Sequence, residues 1–156
     1  MYNEKFMKMG FKEAEKTMKE DIGGPFGAVI VKDGKTVAVS SNQVLAKNDP
    51  TAHAEVTAIR KACRKLKTND LSGCEIYATG YPCPMCLSAI IWANIKKVYV
   101  SGRPEDAEKI GFRDDYIYRF IKDNMKDSDV LEIVETDRKP AQELYEEYAG
   151  MNKVVY

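Results

Sequence analysis

Ala28-Val29-Ile30-Val31-Lys32-Asp33-Gly34-Lys35-Thr36-Val37-Ala38-Val39 decides the fold, because it sets two β-branched runs on either side of Asp-Gly. Asp-Gly suits the positive-φ positions of a tight turn, so the spacing predicts a β-hairpin opening an antiparallel sheet. The second strand runs out through Ser40, Ser41 and Asn42, polar side chains at a strand end where a ligand can reach them. Before the hairpin, Asn3 stands as an N-cap, and Met7, Phe11, Ala14 and Met18 recur at helical steps up to about Lys19. Ile22-Gly23-Gly24-Pro25-Phe26-Gly27 then breaks the helix. It reads either as a tight connection or as a loop lining a pocket, with Phe26 as an aromatic wall.

Beyond the hairpin, Lys47-Asn48-Asp49-Pro50 closes an irregular stretch and points to a helix beginning near Thr51 or Ala52. Ala52, Val56, Ile59, Cys63 and Leu66 form its sheet-facing stripe. Glu75 to Thr79 reads as a third strand, Leu87 to Ala93 as a helix and Lys96 to Ser101 as the next strand. Glu105 to Ile110 and Tyr116 to Lys122 suggest short helices, Val130 to Val134 a late strand, and Lys139 to Ala149 a closing helix. Alternation of strands and helices at this length favours an α/β layered domain with partly parallel pairing, and 156 residues fit one domain over 1–156.

The chemistry is concentrated in Thr51-Ala52-His53-Ala54-Glu55 and Tyr81-Pro82-Cys83-Pro84-Met85-Cys86. His53 is the chain's only histidine, Glu55 stands two places after it, and Cys83 and Cys86 form a C-x-x-C pair. A lone histidine is often structural, and C-x-x-C by itself serves redox motifs and structural zinc alike. Together they make three metal ligands and a base. A structural zinc would want a fourth Cys or His, whereas three protein ligands leave a position open for water, as at a catalytic zinc. Glu55 lies about 200° around the helix from His53, so a shared site must sit over the helix end. Cys83 and Cys86 also stand at a predicted helix start, and there free amides and the helix dipole favour thiolate and hydroxide. Zinc would lower the pKa of its bound water, the resulting hydroxide would attack an amino-bearing ring carbon, and Glu55 would shuttle the proton to ring nitrogen and leaving ammonia. Ala54, between ligand and base, is small enough to let a ring approach.

Twenty-four basic and twenty-four acidic side chains cancel, so no global field draws the protein to nucleic acid or to a membrane surface. No apolar run approaches a membrane span, and the charged N-terminal stretch lacks the pattern of a signal peptide. The expected location is the cytoplasm. Thiols are favoured in that compartment, and Cys63 and Cys74 read as plain buried cysteines.

Residues 22–34, Asn48 to Arg60 and Pro82-Cys83-Pro84-Met85-Cys86 resemble the bacterial guanine deaminases of the cytidine/deoxycytidylate deaminase superfamily. H-x-E followed by P-C-x-x-C is the signature of zinc-dependent nucleobase deaminases. The resemblance covers most of the chain up to about Tyr118 and implies a three-layer α-β-α sandwich with a mixed five-stranded sheet and one Zn2+ per subunit. It implies deamination of guanine to xanthine, with Asn42 and Asp114 holding the purine, Asp114 joining Glu55 in catalysis, and Phe26 and Trp92 walling the pocket. It further implies a homodimer that exchanges segments from about 138 to 156, so that Tyr156 reaches the partner's site. Gly111-Phe112-Arg113-Asp114 matches the family's Gly-Phe-x-Asp. Tyr81 is a departure, since relatives usually carry Glu there, and it bears on the choice of base. A tRNA adenosine deaminase, a deaminase of free cytosine or adenine, and a zinc-stabilised binding module without catalysis are the alternatives.

Overall fold

The computed structural model describes residues 1–156. Strands β1 (Gly27–Lys32) and β2 (Lys35–Ser41) meet at Asp33-Gly34, whose φ angles of 50° and 69° are both left-handed. That pair of positive angles gives a turn whose twist matches the strands it joins. β3 (Cys74–Ala78) pairs antiparallel with β1 and parallel with β4 (Val98–Val100), in the order β2-β1-β3-β4. A parallel step needs a crossover, and helix α4 (Pro84–Trp92) lies between β3 and β4. The sheet is mixed as expected but has four strands, not five. Val130 to Val134, expected as a strand, is irregular, and Leu131, Ile133 and Val134 are 55%, 56% and 67% exposed. A β-branched run becomes a strand where a neighbour completes its ladder, and none in the chain does so here.

Helices cover both faces. Helix α1 (Glu4–Lys19) starts at Asn3, whose side chain accepts from the Lys5 N–H at 3.0 Å. Its buried face is Phe6, Met7, Gly10, Ala14 and Thr17, against Val29, Val31 and Tyr77 of the sheet. Phe11 and Met18 of the expected stripe are half exposed instead. The reason is a backbone contact: a Cβ on Gly27 would lie 2.1 Å from the Gly10 carbonyl oxygen. Helix and strand can touch only glycine to glycine, and this sets the helix's rotation regardless of where its larger apolar residues fall.

On the opposite face, α3 (Ala54–Leu66) follows the short α2 (Val44–Lys47) and lays Ala54, Ala58 and Ala62, all fully buried, over Ala28, Ile30 and Ile76. Of the expected stripe, Ala52 and Val56 are buried, whereas Ile59, Cys63 and Leu66 flank the alanine row and are only partly buried. The sheet-facing stripe is therefore the one with the smallest side chains, which lets the helix sit close. Lys61 and Lys65 of α3 donate to the Val39 and Val37 carbonyls of β2 at 3.0 Å each, covering groups that an edge strand would otherwise leave open.

The chain divides into two compact units, Met1–Asp114 and Asp115–Tyr156. Both apolar clusters lie within the first unit and are complete by Tyr99. The first unit ends with α5 (Pro104–Glu108); the second contains α6 (Asp115–Lys122) and α7 (Arg138–Gly150). Leu144, Tyr145, Val154, Val155 and Tyr156 of the second unit are 62–86% exposed. No helix is long and apolar enough to cross a membrane.

The glycine contact makes a prediction. Gly27→Ala should destabilise the protein by about 1–3 kcal/mol in urea unfolding, because backbone would have to yield. Gly150→Ala, at the end of α7 where a Cβ meets nothing within 4 Å, should leave stability unchanged or raise it slightly.

Candidate active site

The topology brings two helix starts together. β2 and β3 each run antiparallel to β1, so they run in the same direction and end at the same edge of the sheet. Helix α3, reached after the short α2, and helix α4, directly after β3, begin there. His53 is the N-cap of α3, with extended backbone, and its carbonyl accepts from the Thr57 N–H at 2.9 Å. Cys83 is the N-cap of α4, Pro84 occupies the first turn where a missing N–H is harmless, and Cys86 follows in that turn. Each helix starts a step away from its expected place: His53 caps α3 instead of lying inside it, and α4 begins at Pro84 and not Leu87.

His53 Nδ1 lies 3.5 Å from Cys83 Sγ and 3.5 Å from Cys86 Sγ. All three ligand atoms fall within 4.8 Å of one another. Tetrahedral zinc with ordinary Zn–N and Zn–S bonds holds nitrogen and sulfur about 3.6 Å apart, so the donor set and its spacing fit zinc. Cys63 and Cys74 are free cysteines outside this group; Cys74 is buried as expected, whereas Cys63 is only partly so.

Charge is distributed unevenly over the cluster. A hydrogen bond from Cys86, aided by His53, draws the Cys83 thiol down to about 4, whereas Cys86, bonded to Cys83 and buried beside Glu55, is pushed up. His53 is raised mainly by its hydrogen bond to Cys83, against the effect of burial. Ligating thiolates and neutral imidazole have to shed these protons, so metal binding here releases them. Glu55 is 7% exposed, and burial is the main cause that raises its carboxyl above the ordinary range. Its Oε2 accepts from Cys86 Sγ at 3.5 Å, which places the carboxyl beside the ligands without joining them.

The other expected residues divide. Asn42 is buried at the end of β2, and its Oδ1 accepts from the N–H groups of Gly24 (3.3 Å) and Val44 (3.1 Å). A Cβ on Gly23 would meet that oxygen at 2.2 Å, so the glycine loop is shaped around Asn42. Phe26 packs edge-to-face on Phe112, with ring centroids 5.0 Å apart. A Cβ on Gly24 or Gly80 would press on this aromatic pair at about 3 Å. Sequence reasoning had met Phe112 only as a motif position; its signal was the unusual density of glycine facing it. Asp114 is half-buried, and its charge acts to raise His53. Ala54 is fully buried behind the ligand. Trp92, expected as a pocket wall, ends α4 at 75% exposure, six residues past Cys86, or roughly 9 Å of helix. Tyr81 is half exposed, and Tyr156 is 86% exposed in the second unit.

Residues 1–102 match the cytidine and deoxycytidylate deaminase zinc-binding region. The chain belongs to that family. Its ligand triad is accordingly a zinc site, and the enzyme class is a zinc-dependent aminohydrolase. Among relatives, guanine deaminase of Bacillus subtilis (strain 168) is 50% identical over 121 residues, 78% of each chain. A solved guanine deaminase structure from Bacillus subtilis superposes with a TM-score of 0.91 at 40% identity, covering 100% of this chain and 99% of that one. The tRNA-specific adenosine deaminase of Aquifex aeolicus (strain VF5) is 44% identical over 101 residues, 65% of this chain and 66% of its own. These relatives share the deaminase fold, here a mixed sheet of four strands between helices.

A buried carboxyl whose pKa is raised favours its neutral form on folding. The stability it contributes is full below the unfolded value near 4.5 and is lost as pH rises through the higher folded value. In zinc-stripped protein, Glu55→Gln should therefore match wild type in thermal unfolding near pH 4 and exceed it at pH 7–8. A variant less stable than wild type at neutral pH would contradict the burial argument.

Proposed function

We propose that the protein hydrolytically deaminates a free nucleobase, guanine to xanthine and ammonia. The observation that carries this reading is the likeness to the Bacillus subtilis guanine deaminases, which spans the whole chain in structure. His53, Cys83 and Cys86 would hold zinc, which when bound would supply a Lewis acid that makes water nucleophilic near neutral pH. Glu55 would relay the two protons of the hydrolysis, one to a ring nitrogen and one to the amino group that leaves as ammonia. Its burial suits this work, because a carboxyl raised above the ordinary range takes up a proton more readily than an exposed carboxylate does. Asp114 is a second carboxylate near His53 and holds the purine from the other side together with Asn42. Asn42, with Oδ1 engaged by two backbone amides, presents its NH2 group to the base. Phe26, backed by Phe112, is the aromatic wall, and Ala54 leaves room for the ring.

The exposed apolar surface of residues 138–156 supports a homodimer that exchanges this segment, with Tyr156 closing the partner's site. Purine metabolism in the cytoplasm is the setting that fits this chemistry. Deamination of tRNA adenosine is the second reading, favoured by the 44% identity to the Aquifex aeolicus enzyme. The equal numbers of acidic and basic residues supply little of the phosphate attraction that dominates nucleic-acid affinity. A binding module without catalysis has no use for a carboxyl buried next to a metal it does not ligate.

The test is ammonia release by zinc-loaded protein over guanine, cytosine, adenine, their nucleosides and tRNA. Guanine should give the highest kcat/KM; a preference for tRNA or adenine would reverse the assignment. Glu55→Gln should retain zinc and lose roughly 10²–10⁴-fold in kcat, the usual worth of a positioned acid/base. Deleting residues 152–156 should lower guanine turnover while leaving zinc content and thermal unfolding intact, and wild-type kinetics in that truncation would remove Tyr156 from the site.

A further inference from the structure

Arg60 follows His53 by seven residues, close to two full turns, so both side chains rise from one face of α3. Side chains lean toward a helix's N-terminus, and that of Arg60 does so. Its guanidinium reaches back beyond the start of α3 to Asp49 Oδ2 at 3.5 Å and Thr51 Oγ1 at 3.4 Å. Asp49 Oδ1 in turn accepts from the Thr51 N–H at 2.8 Å and the Thr51 hydroxyl at 2.6 Å. The bonds from Thr51, with smaller help from Arg60, hold the Asp49 carboxyl below the usual carboxylate range. The same turn carries the next residues by its backbone: the Asp49 carbonyl accepts from the Ala52 N–H at 3.0 Å, and the Thr51 carbonyl from the His53 N–H at 2.8 Å. His53 makes no side-chain cap of its own, so the direction in which it enters α3 is set by the turn before it.

We infer that Asp49 and Arg60 are positioning residues for the metal ligand His53. Through Thr51 they clamp the 49–51 turn to the second turn of α3, which fixes the extended His53 backbone and keeps Nδ1 turned toward Cys83 and Cys86. The inference rests on the zinc reading of those three groups. Both members of the ion pair are substantially exposed, 51% for Arg60 and 34% for Asp49, and exposed pairs add little to folding stability. The clamp's effect is thus on aim. Its loss should show in how the metal is held far more than in how the chain folds.

The experiment is zinc release from zinc-loaded protein into an excess of a chelating dye. Asp49→Ala and Arg60→Ala should release zinc about 10- to 100-fold faster than wild type, the range seen when an outer partner of a metal ligand is removed. The double variant should be no faster than the faster single one, because either change opens the same clamp. Arg60→Lys, which keeps the charge but not the fork, should fall between wild type and Arg60→Ala. After zinc is stripped, the same variants should unfold within about 4 °C of wild type. Release rates within twofold of wild type overturn the clamp. So does faster release that merely tracks a comparable loss of thermal stability in the stripped proteins. Failure of the zinc reading looks different, since wild type itself would then carry no zinc into the assay.

Discussion

The meeting of two helix N-termini over one edge of the sheet is the constraint on which the site depends. It follows from strand direction: β2 and β3 both oppose β1, so the helices that follow them start side by side. His53 and Cys83 are N-caps, and Cys86 lies within the first turn of α4. Unpaired amides and the positive ends of two helices therefore face the same small volume, where anionic ligands are favoured. None of the three donors has to be delivered by a long loop, which keeps their spacing suited to a small tetrahedral ion.

Around that point, glycines substitute for space. Gly10 against Gly27 sets how near α1 comes to the sheet, Gly23 makes room for Asn42, and Gly24 and Gly80 make room for the Phe26–Phe112 pair. The loop before β1 is thus neither slack nor merely a connection. It is a cast of the side chains behind it, held by the two amides that Asn42 accepts. Glu55 adds a cost in the opposite sense, because without zinc a carboxyl buried beside thiols favours its neutral form and weakens the fold at neutral pH. Sites that keep such groups exchange stability for activity.

How far the sequence could be read depended on whether a feature was local. The Asp33-Gly34 hairpin, the Asn3 cap and the ligand set were legible because each is decided by a few adjacent residues of distinctive chemistry. Buried faces were less so: the stripe through Phe11 and Met18 lost to a glycine contact that carries no hydrophobic signal, and the large residues of α3 lost to its alanines. Val130 to Val134 has the composition of a strand, but strand formation is settled by a neighbour and not by composition. The hold of Arg60 on Asp49 and Thr51 left no motif to find, since it needs only one long side chain at a helical distance from a turn.

The row Ala54, Ala58 and Ala62 bears on how such an enzyme can change. His53 and Glu55 are attached to the same rigid rod as these alanines, whose methyl groups form the fully buried centre of its contact with the sheet. Adding one or two carbons at Ala58 or Ala62 would lift or roll the rod and move ligand and base together relative to the cysteines on α4. Residues that touch neither metal nor substrate thereby act as shims in an alignment. Their small size is a tolerance on the chemistry, and drift in the core would be felt first as a loss of turnover.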